Sequence, residues 1–83
     1  MYGYIYITLN KINGKIYVGQ KKSKTFIITY HGSGKLLKLA IKKYGINNFE
    51  TYLIDFYENM SSLDEAEIYW IEYFKSNEHD IRV

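Results

Sequence analysis

The 83-residue chain has no cysteine and no proline, and no acidic residue before Glu50. Without cysteine there is no disulfide framework and no thiolate zinc site, which fits a reducing compartment. Without proline, and with an even composition, no linker, repeat or low-complexity segment stands out. No apolar run approaches the roughly 20 residues that a membrane-spanning helix needs, and the N-terminus lacks a signal-peptide pattern. What is present suits one small domain over residues 1–83, near the lower end of what folds unaided. Its 47% hydrophobic and 18% aromatic content is enough to bury a core.

The missing acids make the charge lopsided. Residues 1–49 carry nine lysines and no Asp or Glu, whereas residues 50–83 carry nine acids against Lys75 and Arg82, so a net charge of +2 hides halves of +9 and −7. A basic surface for a polyanion, phosphate above all, is one reading. Halves that neutralise each other in space are the other.

Residues 1–20 read as a hairpin with Tyr4, Tyr6, Tyr17 and Gly19 on one face and Ile5, Ile7, Leu9, Ile16 and Val18 on the other. Asn13-Gly14 marks the turn. Closing the loop so that Leu9 faces Gly14 predicts Ile7 opposite Ile16, Ile5 opposite Val18 and Tyr6 opposite Tyr17. The aliphatic face is the expected core and the tyrosine face the expected exposed one.

Beyond the hairpin, residues 20–34 read as a polar loop in which Phe26-Ile27-Ile28 is a candidate buried segment. A helix is expected over 35–44, with Ser33 as N-cap, Leu36, Leu37, Ala40, Ile41 and Tyr44 inward, and Gly45 as its stop. Residues 49–57 suit a third strand and residues 58–61 a loop. Ser62-Leu63-Asp64-Glu65 resembles a capping box that opens a last helix reaching about residue 75. Its inward stripe is Leu63, Ala66, Glu67, Trp70 and Phe74, with Glu67 as the odd member. A carboxylate on that stripe calls for an ion-pair partner, a metal or a catalytic role. Tyr44, Tyr52, Tyr57, Tyr69 and Tyr73 read as packing residues.

Tyr4-Ile5-Tyr6 followed by Tyr17-Val18-Gly19 resembles the two-part signature of GIY-YIG nucleases. The Tyr30-His31-Gly32-Ser33-Gly34-Lys35 run, Lys43-Tyr44-Gly45 with Asn48-Phe49, and Glu67-Ile68-Tyr69-Trp70-Ile71 follow in the order found in phage and mobile-element members. The resemblance implies an α+β fold, a small three-stranded antiparallel sheet flanked by helices. It also implies DNA phosphodiester hydrolysis with one divalent cation, Mg2+ or Mn2+, held at Glu67 with water filling most of its shell. Tyr6 and Tyr17 match the family's two tyrosines, Tyr17 orienting or activating water. His31 matches a histidine that moves a proton or binds phosphate, and Gly19 lets backbone approach the substrate. The implied setting is the cytoplasm of a bacterial or phage-infected cell.

The chain also departs from the family. Tyr4 stands in place of the first glycine, and no arginine precedes Arg82, so the phosphate-clamping arginine has no counterpart. Lys35 is the expected substitute, with Lys21, Lys22 and Lys24 next, and Lys38 adds to the DNA-facing charge. The family's late asparagine is not matched by Asn77 or its surroundings, so the domain is expected to end short of it, with target specificity left to a separate DNA-binding region or partner. Two further readings compete: a non-catalytic DNA-binding relic, which the absent arginine favours and an inward Glu67 opposes, and a module whose acidic half meets the basic half of another copy.

Overall fold

The computed structural model describes residues 2–76 and 81–82. Strands β1 (Gly3–Asn10), β2 (Ile16–Lys22) and β3 (Phe49–Tyr57) form an antiparallel sheet with β1 in the centre. A two-residue β4 (Ile81–Arg82) runs parallel to β2 at its outer edge, so the sheet order is β3-β1-β2-β4. Helices α1 (Lys35–Tyr44) and α2 (Met60–Ser76) complete an α+β domain of the expected type.

The two hairpin faces are as the alternation predicts, but the pairing differs. Leu9 pairs with Ile16, Ile7 with Val18, Thr8 with Tyr17 and Tyr6 with Gly19 rather than with Tyr17. The loop closes one residue later on each side. Asn10 N–H donates to Lys15 O at 2.9 Å and Gly14 N–H to Asn10 O at 2.8 Å. The Asn10 side chain accepts from Ile12 N–H at 2.9 Å, an Asx turn that draws Asn10 into the closing pair, and Gly14 takes φ +77°. Such a slip shifts the pairing by two residues, so every side chain keeps its face.

The expected exposure of the tyrosine face is overturned: Tyr4 is fully buried and Tyr6 and Tyr17 are 6% and 7% exposed. The long segment after β2 folds back over this face. Phe26 packs edge-on to Tyr4 at 5.2 Å and Tyr30 edge-on to Tyr6 at 5.7 Å, while Leu37 of α1 and Phe49 of β3 enclose Tyr17. Phe26 and Ile27 are half-buried, but Ile28 is 77% exposed, so only part of that apolar triplet is covered. α2 covers the opposite face, where Leu63, Ala66 and Phe74 meet Ile5, Ile16 and Val18. The sheet is thus buried on both sides by a chain of only 83 residues.

β3 carries a bulge at Ile54: Ile5 pairs with Asp55 but Tyr6 pairs with Leu53. The extra residue inverts the alternation along β3, so Phe56 and Thr51, which differ in parity, share the tyrosine face.

Three helix details depart from expectation. Ser33 does not cap α1; Gly34 occupies the N-cap position with no side-chain bond. Leu36 is 52% exposed, because ten residues of helix present only a narrow stripe and Leu37, Ala40, Ile41 and Tyr44 fill it. α2 begins at Met60, and Asn59 rather than Ser62 caps it, with Asn59 Oδ1 accepting from Ser62 N–H at 2.8 Å. Residues 60 and 61 are therefore helical rather than loop. Gly45 ends α1 as expected, its N–H donating to Ile41 O at 2.8 Å. Tyr52, Tyr69 and Tyr73 are 45%, 59% and 43% exposed, so they are surface aromatics rather than core. Asn77 lies outside the described residues.

Candidate active site

Tyr6 is the centre of the site. On β1 it sits directly opposite Gly19 of β2, and its ring lies over that residue. A Cβ at Gly19 would overlap the Tyr6 hydroxyl and ring, so glycine is required there to seat the tyrosine. That role differs from close backbone approach to a substrate. Gly32 closes the other side with φ +127°, and a Cβ there would overlap Leu37 and come within 3.0 Å of the Tyr6 hydroxyl. The glycines of two distant motifs thus shape one tyrosine socket.

The socket decides the protonation of Tyr6. Burial raises its pKa well above the ordinary 10.0, and the neighbouring Tyr30 hydroxyl, the Glu67 carboxylate and Tyr4 push in the same direction. Tyr6 is therefore a neutral phenol at any physiological pH.

Glu67 lies on α2, on the far side of the sheet, and is half-buried at its margin. Gln20, at the end of β2 and on the α2 face, ties it down: Gln20 Nε2 donates to Glu67 Oε1 at 3.0 Å and to Asp64 Oδ1 at 2.9 Å. Among the described residues the inward carboxylate thus has an amide partner. Asp64 and Glu67 are one helical turn apart and converge on one nitrogen. Among the described residues no group of three or more His, Cys, Asp or Glu side chains comes together to hold a metal.

His31 follows the loop over the tyrosine face and is anchored to the sheet. Its Nδ1 is 2.7 Å from Thr51 Oγ1, and its backbone oxygen accepts from Thr8 Oγ1 at 2.6 Å. Tyr17 is opposite Thr8, hence diagonal to Tyr6 on the same face.

The lysines divide. Lys21 lies on the tyrosine face with Nζ 4.5 Å from the centre of the Tyr30 ring, the ring that packs on Tyr6. Lys22 projects to the other face, 5.8 Å over Tyr2, because consecutive strand residues alternate. Lys24, Lys35 and Lys38 are exposed, Lys35 as the first residue of α1. The structure therefore sets Tyr6, Gly19, Lys21, Tyr17 and His31 on the tyrosine face, places Glu67 on α2 at the sheet margin, and keeps Lys22 apart. Sequence reasoning missed Thr8, Gln20, Tyr30, Thr51 and Asp64. The parity of Thr8 with Tyr4 and Tyr6 was a usable signal, but nothing in the sequence announces the bulge that delivers Thr51.

Comparison with known proteins identifies the family. Residues 2–80 match the GIY-YIG catalytic domain. Enterobacteria phage T4 supplies similar proteins. The chain is 46% identical to segC over 77 residues, covering 90% of this chain and 39% of segC. It is 45% identical to segB over 67 residues, covering 81% and 30%. Both carry provisional endonuclease names. A third, named endonuclease segA, is 41% identical over 66 residues, covering 80% of this chain and 30% of its own. The chain spans about a third of the length of these relatives. No solved structure matches it significantly.

Proposed function

The chain belongs to the GIY-YIG catalytic domain family, and from that membership we infer that it hydrolyses DNA phosphodiester bonds as the cutting domain of an endonuclease. The observation that carries this reading is the Tyr6 socket, built from Gly19 and Gly32, with the Glu67 carboxylate anchored by Gln20 at the sheet margin.

The donor set at Glu67 fits a hard divalent cation such as Mg2+ or Mn2+. Glu67 and Asp64 offer carboxylate oxygens from one helix face, and Gln20 holds both. Few protein oxygens and many waters is the usual arrangement for magnesium. When bound, the cation supplies Lewis-acid polarisation of the phosphate and charge stabilisation at the leaving oxygen.

The residues divide the remaining work. Tyr6, whose pKa burial raises, is suited to donate a hydrogen bond from its phenol. Tyr17 orients the attacking water, as the family resemblance implies. His31 accepts its proton. Lys21 balances phosphate charge from the tyrosine face, in preference to Lys35, a reading supported by its ammonium lying over the Tyr30 ring that packs on Tyr6. A lysine offers a point charge and no bidentate fork, so the clamp is weaker than an arginine's.

Nicking of supercoiled plasmid tests the reading. The expected result is Mg2+-dependent nicking that EDTA abolishes and that Glu67→Gln lowers by at least the roughly 10–100-fold seen when outer partners of a metal site are lost. Unchanged melting of Glu67→Gln would show that its fold is intact. DNA retained by both proteins in low salt with no nicking by either would replace this reading with the non-catalytic DNA-binding one.

A further inference from the structure

Three side-chain contacts on the tyrosine face form a continuous relay. Thr8, fully buried on β1, has Oγ1 2.6 Å from the His31 backbone oxygen and 2.9 Å from Thr51 Oγ1. Thr51 Oγ1 is in turn 2.7 Å from His31 Nδ1. A hydroxyl has one hydrogen to donate and a carbonyl oxygen only accepts. The Thr8 hydrogen is therefore committed to His31 O. Thr8 Oγ1 must accept from Thr51, which commits the Thr51 hydrogen as well. Thr51 can then only accept from the ring, so the imidazole carries its hydrogen on Nδ1. The opposite polarity fails, because with hydrogen on Nε2 one of the contacts at buried Thr8 would be oxygen against oxygen with no hydrogen between them.

We propose that Thr8 and Thr51 are positioning residues that lock His31 in the Nδ1–H tautomer, leaving the Nε2 lone pair as the proton acceptor for the attacking water. The assignment rests on the phosphodiesterase reading above. In that step the water oxygen bonds to phosphorus, its proton passes to Nε2, the phosphorus bond to the leaving oxygen breaks, and the leaving oxygen takes a proton from solvent. Nδ1–H donates to Thr51 in both the neutral and the protonated ring, so the relay needs no rearrangement during the transfer. Free neutral imidazole in water favours the other tautomer, so the relay has a spectroscopic signature.

Nitrogen-15 shifts of the imidazole, read in a His79→Gln background that leaves His31 as the sole histidine of the chain, report the tautomer directly. The expected result at a pH where the ring is neutral is a protonated-type Nδ1 and an unprotonated-type Nε2. Thr51→Val, nearly the same shape without the hydroxyl, should lose that preference and slow nicking about 10- to 100-fold, less than the roughly 10²–10⁴-fold that a positioned acid or base contributes in full, because the imidazole itself remains. Thr51→Ser should restore both. An Nε2–H ring in the parent chain overturns the proposal, as does a Thr51→Val protein that keeps the Nδ1–H form or the full nicking rate. An Nδ1–H ring in a chain with no metal-dependent nicking overturns the use of Nε2 through failure of the nuclease reading, and the intact tautomer distinguishes that failure from failure of the relay.

Discussion

At Tyr6 the phenol is enclosed by Gly19, Gly32, Tyr4 and Tyr30. Because burial raises its pKa above 10.0, folding and the phenolic proton are linked. Below pH 10 the proton is bound in both folded and unfolded chains and contributes no slope. As pH rises past 10 the unfolded chain releases it while the folded chain keeps it, so stability falls, by at most about 1.4 kcal/mol per pH unit for one proton. Thermal melts above pH 10 should therefore show a steeper loss for the parent chain than for Tyr6→Phe. Parallel slopes would mean that the Tyr6 proton is no more tightly held than that of an exposed tyrosine. Tyrosine motif and glycine motif were both legible in the sequence, but the reason for Gly19 was not. Its necessity comes from a ring on the neighbouring strand, which only the register brings there.

The elements show the same division. The spans of α1 and β3 follow from their apolar periodicity and from Gly45, because those signals are local. The start of α2 does not, since Ser62-x-x-Glu65 and Asn59-x-x-Ser62 are both acceptable openings and the packing of Leu63 under the sheet selects the longer helix. Asn59→Ala should cost about 1 kcal/mol in urea denaturation, the usual value of a lost N-cap. Ser62→Ala, inside the first turn, should change stability by less than half of that. The reverse order would return the cap to Ser62. The Ile54 bulge is the element-scale feature with the greatest consequence, because it sets Thr51 opposite Thr8 and so makes the His31 anchor possible.

Across the whole molecule the charge division survives folding in part. Lys11, in the turn after β1, pairs with Glu50 of β3 at 3.2 Å, an exposed contact that contributes little to stability. The lysines do not form one patch, since Lys21 and Lys22 face opposite ways and Lys43 turns toward Tyr44 at 5.2 Å. A phosphate contact at Lys21 predicts that the salt dependence of DNA retention, plotted as log affinity against log salt, loses about 0.9 in slope in Lys21→Ala. Lys43→Ala should leave the slope unchanged. Equal slopes for the parent chain and Lys21→Ala would remove Lys21 from the DNA path. Among the described residues no helix is long and apolar enough to cross a membrane.

Alternation, helical spacing and turn chemistry are local properties, so the sequence by itself determined the three main strands, the span of α1, the existence of α2, the two faces of the hairpin, the inward Glu67 and the family. Pairing register, the bulge at Ile54, the fold-back of residues 23–34 and the burial of the tyrosine face depend on contacts between segments far apart in the chain. Those contacts are selected by the joint packing of all elements, and only the tertiary structure decided them. They are what turn Tyr6 into a protonated donor, give Gly19 its reason, and join Thr8, Thr51 and His31 into one relay.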